Sequence, residues 1–135
     1  MKSRDTLIRL KKFQVDEKRR QVAQLEGMIA EFERMANELD QQIASEQQKA
    51  GIHDVTHFAY PTFAKAAMVR RDNLLQSADG LRGQLEDARA SLSEAFDELK
   101  KIELLDERDR EAERSLDRVR EQAELDEIAA RSHQA

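Results

Sequence analysis

The sequence predicts an all-α protein: two long helices in an antiparallel coiled-coil hairpin, with the second helix overhanging the first. Three observations carry this. Apolar residues recur every seven positions at Ile8, Val15, Val22, Ile29, Ala36 and Ile43. Of the 135 residues, 38% are charged and 39% hydrophobic, with a single proline, which is the composition of long periodic helices. Aromatic residues make up only 4% and tryptophan is missing, so an ordinary compact core, which relies on aromatic bulk, is not expected.

The first helix is expected over about residues 4–48. A helix turns every ~3.6 residues, so the heptad series, with Leu25, Phe32 and Leu39 interleaved, draws one narrow apolar seam along one side. Leaving that seam in water forfeits about 1.5–3 kcal/mol per large side chain, so it calls for a partner helix. Ser3 is placed to cap the helix, and Asp5 suits its positive dipole end. Gly27 costs about 1 kcal/mol relative to alanine inside a helix, and marks either a close approach of the second helix or a tolerated weak point. Lys11 and Lys18 sit on the seam where leucine is expected. A lysine there either fixes register or leaves the basic end loosely paired for a third surface.

The period fails over about residues 50–60. Gly51 fits a helix C-terminus, and Pro61 fits the first position of the next helix, where its missing N–H is not needed. This corner holds the only aromatic cluster: Phe58, Tyr60 and Phe63. Phe58 and Phe63 are expected to cap the core, and Tyr60 to offer a binding contact.

The second helix is expected over about residues 61–129. Its seam is Leu74, Ala78, Leu81, Leu85, Ala88, Leu92, Ala95, Leu99 and Ile102, in alternating steps of four and three. Leu105 then follows by three again, a stammer, and the series continues through Ala112, Leu116, Val119 and Ala123. A turn centred near residue 56 makes facing residues add to about 112. Ile43 then faces the region of Met68, and Ile8 that of Glu103 and Leu104. The second helix outruns the first from about Arg108, by ~25 residues or ~35–40 Å at ~1.5 Å per residue. An isolated helix with a thin apolar stripe is marginal in water, so this overhang either frays or docks.

Charge is uneven along the chain, whose formal net charge is −5. Residues 1–20 carry eight basic and three acidic side chains, a net of +5, and residues 101–135 carry seven basic and eleven acidic ones, a net of −4. The basic start fits an acidic partner, anionic lipid or nucleic acid. It also fits the chain's own acidic C-terminal segment, which is the reading favoured here, and no nucleic-acid partner is expected. Cysteine is missing, so neither disulfides nor thiolate metal sites are possible. No apolar run approaches the ~18–20 residues that span a bilayer, and no signal-peptide core opens the chain, so a cytoplasmic protein without direct membrane insertion is expected.

No enzyme is expected. The glycines at 27, 51, 80 and 83 are isolated and none opens a phosphate loop. A catalytic triad needs a scaffold that converges its members, and two paired helices offer none. His53 and His57 share a helical spacing with Asp54 nearby, but they fall in the corner and read as polar loop residues, so no metal or other cofactor is expected. Acid pairs such as Glu86-Asp87 and Asp126-Glu127 read as a solvated face bonded to basic neighbours.

Four features together resemble one family. They are the chain's size, its opening Leu7-Ile8-Arg9-Leu10-Lys11-Lys12-Phe13-Gln14-Val15-Asp16-Glu17-Lys18, the central corner, and the ending Glu124-Leu125-Asp126-Glu127. The chain resembles FliJ, the small coiled-coil protein of bacterial flagellar type III export, over essentially its full length. His57-Phe58-Ala59-Tyr60-Pro61 followed by Arg70-Arg71-Asp72-Asn73 looks most like the alphaproteobacterial branch. The resemblance implies a stalk-like coiled coil that associates with the flagellar export ATPase and its regulator, the export-gate membrane protein and export chaperones. It implies a place in the cytoplasm, peripheral at the inner membrane, and an elongated monomer when alone. Lys11, Ala112, Leu116, Val119 and Ala123 are then the residues expected to meet the ATPase ring, and Ile43, Tyr60 and Phe63 the export gate. The competing reading is a structural or membrane-surface scaffold that acts by self-association.

Overall fold

The computed structural model describes the backbone of residues 2–134 and the side chains of residues 4–133. It consists of α1 (Lys2–Ala50) and α2 (Thr62–Gln134), of 49 and 73 residues, and among the described residues there is no strand. The capping role expected of Ser3 falls on a side chain outside the described residues. The chain forms two compact units, Asp16–Ser93 and Met1–Val15 with Glu94–Ala135, and each contains a stretch of both helices.

In the unit Asp16–Ser93 the helices pack antiparallel. Val22 and Ile29 of α1 form a buried cluster with Ala78 and Leu85 of α2, with Leu25, Phe32, Leu81, Ala88 and Leu92 packed against it. A second cluster joins Ile43 to Tyr60, Ala64 and Ala67. The alanines on α2 let the large Ile43 and Tyr60 side chains fill the space between the backbones. Ion pairs flank the seam: Arg71–Asp40 at 2.9 Å, Arg89–Glu26 at 3.6 Å, and Arg82–Glu33. These partners' numbers add to between 111 and 115, around the value the seam predicts. Gly27 does not mark a close approach. A Cβ built there meets nothing within 4 Å, so the residue is a weak point in the helix rather than a packing requirement.

The corner is built from local hydrogen bonds. Gly51 closes α1 with a positive φ of 69°, and its N–H reaches the Gln47 carbonyl at 2.9 Å. An L side chain is disfavoured in that conformation. The Asp54 carboxylate accepts the Thr56 N–H at 3.0 Å and the Thr56 hydroxyl at 2.7 Å, a side-chain-built turn. Pro61 stands one position earlier than expected. α2 begins at Thr62, and the Pro61 carbonyl accepts the Lys65 N–H at 3.2 Å, so the proline caps the helix instead of opening it.

In the unit Met1–Val15 with Glu94–Ala135, Val15 and Leu99 are buried. Lys11 Nζ reaches Glu98 Oε2 on α2 at 2.9 Å. The seam lysine therefore makes an ion pair across the two helices. Past Leu99 the seam departs from the sequence reading. Asp106, not Leu105, occupies the line facing α1: Asp106 is 8% exposed and Leu105 is 48% exposed. Pairing closes in charged contacts. Arg4 bonds Asp109 and the Leu105 carbonyl, and Arg110 bonds Asp106 at 3.0 Å and Asp5 at 3.2 Å. The buried carboxylate of Asp106 is tolerable because a guanidinium meets it.

Candidate partner-binding surfaces

The seven-residue step from Leu99 to Asp106 keeps one helical line turned toward α1. Leu105 lies one residue back from Asp106, a rotation of about 100°. The apolar series that passes through Leu105 has therefore left the pairing face before α1 has ended. Ala112, Leu116, Val119 and Ala123 follow it at steps of seven, four, three and four, which keeps them on one face of α2. Every described side chain from 110 to 133 is exposed, with Leu116 at 56% and Val119 at 65%. The stammer at Ile102–Leu105 marks the point where the apolar stripe swings away from the seam.

The opposite face of the same stretch is ionic. Arg114 meets Glu107 at 3.0 Å and Glu111 at 2.9 Å, and Arg118 meets Glu111 at 3.0 Å. These four residues sit at steps of four, three and four, about half a turn from Leu116. The Arg118 and Arg114 hydrogen bonds hold the Glu111 carboxyl below its ordinary range. Further along, Arg131 bonds Glu127 at 2.7 Å and Gln122 bonds Asp126 at 2.9 Å. The ladder supports helix without using the stripe, so the stripe stays free.

Of the residues expected to meet a partner, Ala112, Leu116, Val119 and Ala123 are brought together on that one face. Lys11 has its ammonium committed to Glu98, whose carboxyl is held below its ordinary range chiefly by that hydrogen bond.

The corner rearranges the expected roles of its aromatics. Tyr60 is 6% exposed, its hydroxyl receives Gln47 Nε2 at 2.8 Å, and its ring packs with Ile43. It is a core residue, as is Ile43. Phe58, expected in the core, is 97% exposed, and Phe63 is also exposed. Periodicity could not reveal this, because the corner follows no helical repeat. Tyr60 is drawn inward because Gln47 satisfies its hydroxyl; Phe58 points out between residues whose backbone is turned by Asp54.

An open groove of about 510 Å³ in the unit Asp16–Ser93 is lined by Glu26, Ile29, Glu33, Arg82, Gly83 and Arg89 among others, and its rim charges pair with each other. Among the described residues no group of three or more His, Cys, Asp or Glu could hold a metal ion. No helix of the described residues is long and apolar enough to cross a membrane.

No curated protein and no solved structure matched the chain. The family model for the flagellar FliJ protein matches residues 1–135, the whole length, and the chain belongs to the FliJ family.

Proposed function

We propose that this protein is a stalk-like component of the flagellar type III export apparatus that binds the export ATPase ring and stimulates it. Membership of the family implies a flagellar export-related role, and the family is a non-catalytic export component. The observation that supports the finer reading is the apolar stripe that leaves the seam at Leu105 and runs uncovered through Leu116 and Val119. Its width is that of a single helix face and its back is ionic. A ring whose inner wall is apolar on one side fits such a face; a broad apolar surface would leave the ion-pair ladder desolvated at a cost. In this reading Ala112, Leu116, Val119 and Ala123 touch the ring, and Lys11 acts by locking register with Glu98.

The export-gate membrane protein is assigned to the corner. There Phe63 offers exposed apolar surface, and Ile43 and Tyr60 support it from the core. The ATPase regulator and export chaperones complete the partner set, and the chain works from the cytoplasm at the inner membrane through these contacts. Stimulation of purified export ATPase tests the reading. Leu116→Glu with Val119→Glu should abolish stimulation, and unchanged stimulation would refute the assignment. The alternative of a self-associating scaffold draws on the same uncovered stripe. It predicts dimers or larger species in sedimentation, where the stalk predicts monomers.

A further inference from the structure

We propose that the corner rests directly on an anionic lipid surface. Val55, Phe58 and Phe63 seat at the level of the headgroups, and Lys49, Lys65 and Arg70 meet the lipid phosphates. The proposal goes beyond the assignment of the corner to the export-gate protein, and it holds or fails without that assignment.

Charge names the occupant. Residues 49–71 carry Lys49, Lys65, Arg70 and Arg71 against Asp54 alone, a net of +3 in a chain whose net charge is −5. Arg71 is committed to Asp40 at 2.9 Å and to Asp72 at 3.0 Å. The one acid of the stretch is turned inward on the loop, where its carboxylate accepts the Thr56 N–H and hydroxyl. Lys49, Lys65 and Arg70 are exposed and form no ion pair among the described residues. Three cations without counter-ions gain little in water but are attracted by the surface potential of an anionic leaflet.

Apolar exposure accompanies that charge. Val55 is 39% exposed, Phe58 97% and Phe63 54%. The core beside them closes without them, because Tyr60 packs with Ile43, Ala64 and Ala67. Two phenyl rings and a valine left outside within nine residues are foreign to a solvated turn, which favours small polar residues. The cations flank them in the chain, with Lys49 before and Lys65 and Arg70 after. Apolar side chains between Lys and Arg are what a headgroup boundary takes up. Seating them there also withdraws backbone from water, and the corner's donors are already satisfied. The Gly51 N–H reaches the Gln47 carbonyl, the His57 N–H the Asp54 carbonyl, the Tyr60 N–H the His57 carbonyl, and the Ala59 N–H His57 Nδ1. Paired donors leave water at little cost. No helix of the described residues is long and apolar enough to cross a membrane, so the contact is one of surface.

Sedimentation of the full chain with vesicles tests this. The chain should sediment with phosphatidylcholine vesicles that contain phosphatidylglycerol and stay in solution with pure phosphatidylcholine, and binding should fall as salt rises. Lys65→Glu with Arg70→Glu should weaken binding about tenfold or more, and so should Phe58→Glu with Phe63→Glu. Arg9→Glu with Lys12→Glu makes the same charge change on exposed cations of the other unit and should leave binding within about twofold. Phe58→Trp introduces the only tryptophan of the chain, and its emission should move to the blue when the anionic vesicles are added. That variant keeps the test decisive where a glutamate pair lowers the melting temperature. No sedimentation with anionic vesicles, binding that survives both corner pairs, binding lost with the Arg9 and Lys12 pair, or an unshifted emission would each overturn the proposal. Secretion lost in Lys65→Glu with Arg70→Glu by a chain that ignores vesicles would assign the corner to an acidic protein instead. The vesicles hold neither the ATPase nor the gate protein, so failure of those assignments leaves this result unchanged.

Discussion

Replacing Leu116 and Val119 with glutamate should separate binding from folding by a measurable margin. The comparison is Ile29→Ala. Ile29 is buried with Val22, Ala78 and Leu85, so its truncation removes packed surface and leaves a cavity, at about 2–5 kcal/mol. For a chain of this length a kilocalorie moves the melting temperature by roughly 3–5 °C, so Ile29→Ala should melt about 6–25 °C lower. Leu116 and Val119 are 56% and 65% exposed, and their remaining cover is their own helix. Their replacement loses no cross-helix contact and adds like-charge repulsion of about 0.2–0.5 kcal/mol per close pair. The net effect should stay within about 0.5 kcal/mol, or about 2 °C. Binding behaves oppositely. Full burial of such side chains is worth about 1.5–3 kcal/mol, so burying the exposed part returns about 1–2 kcal/mol each. Losing both costs about 2–4 kcal/mol, roughly 30- to 1000-fold in affinity for the ring. Melting by circular dichroism and titration of ATPase stimulation read the two effects. If the double variant melted as low as Ile29→Ala, the stripe would already be covered, and the reasoning would fail.

Glycine substitutions should divide by backbone conformation. Gly51→Ala, at φ 69°, should cost about 1–2 kcal/mol, whereas Gly83→Ala, where a Cβ meets nothing within 4 Å, should gain about 0.5–1 kcal/mol; chemical denaturation measures both. Acid should weaken the ionic contacts. Glu111 and Glu98 are held below the ordinary carboxylate range by Arg118 with Arg114 and by Lys11, so their contribution is present above a pH of about 4.3 and is lost as pH falls through the lowered values. Helical signal measured downward from pH 6 should stay level and then fall below that range; a loss centred near neutrality would contradict it. Cysteines at Ile43 and Ala67, which share a buried cluster, should crosslink within one chain, and a crosslinked dimer would contradict antiparallel packing in that unit.

The paired helices were legible because burial there depends on a repeating spacing. Val15, Val22, Ile29, Ala36 and Ile43 are all buried, at the heptad spacing read from the chain. Two features were not legible, for different reasons. At Asp106 the apolar pattern and the pairing line diverge. A reader who follows hydrophobicity goes to Leu105, whereas the helix keeps its geometric period and brings Asp106 inward, where Arg110 compensates it. At the corner no period exists, and the fate of each aromatic depends on single hydrogen bonds. Gln47 takes the Tyr60 hydroxyl, which makes a phenol compatible with the core. Phe58 has no polar handle, and the turn that Asp54 sets directs it outward.

The divergence at Asp106 bears on how the overhang can work. Had the apolar series stayed on the seam, the face that pairs with α1 and the face left for a partner would be the same. A partner gripping the overhang would then compete with α1 for its last turns and tend to pry the helices apart. The structure separates the two. Leu105 is already turned outward where its own carbonyl still receives Arg4, so the free stripe begins while pairing is intact. The charged closure formed by Arg4, Asp5, Asp106, Asp109 and Arg110 ends the pairing without placing an apolar side chain in competition. A partner can therefore hold Leu105 through Ala123 along one continuous line, with α1 left paired and the ladder of Glu107, Arg114, Glu111 and Arg118 left in water. Binding energy spent on that line goes to the contact itself and not to opening the helices.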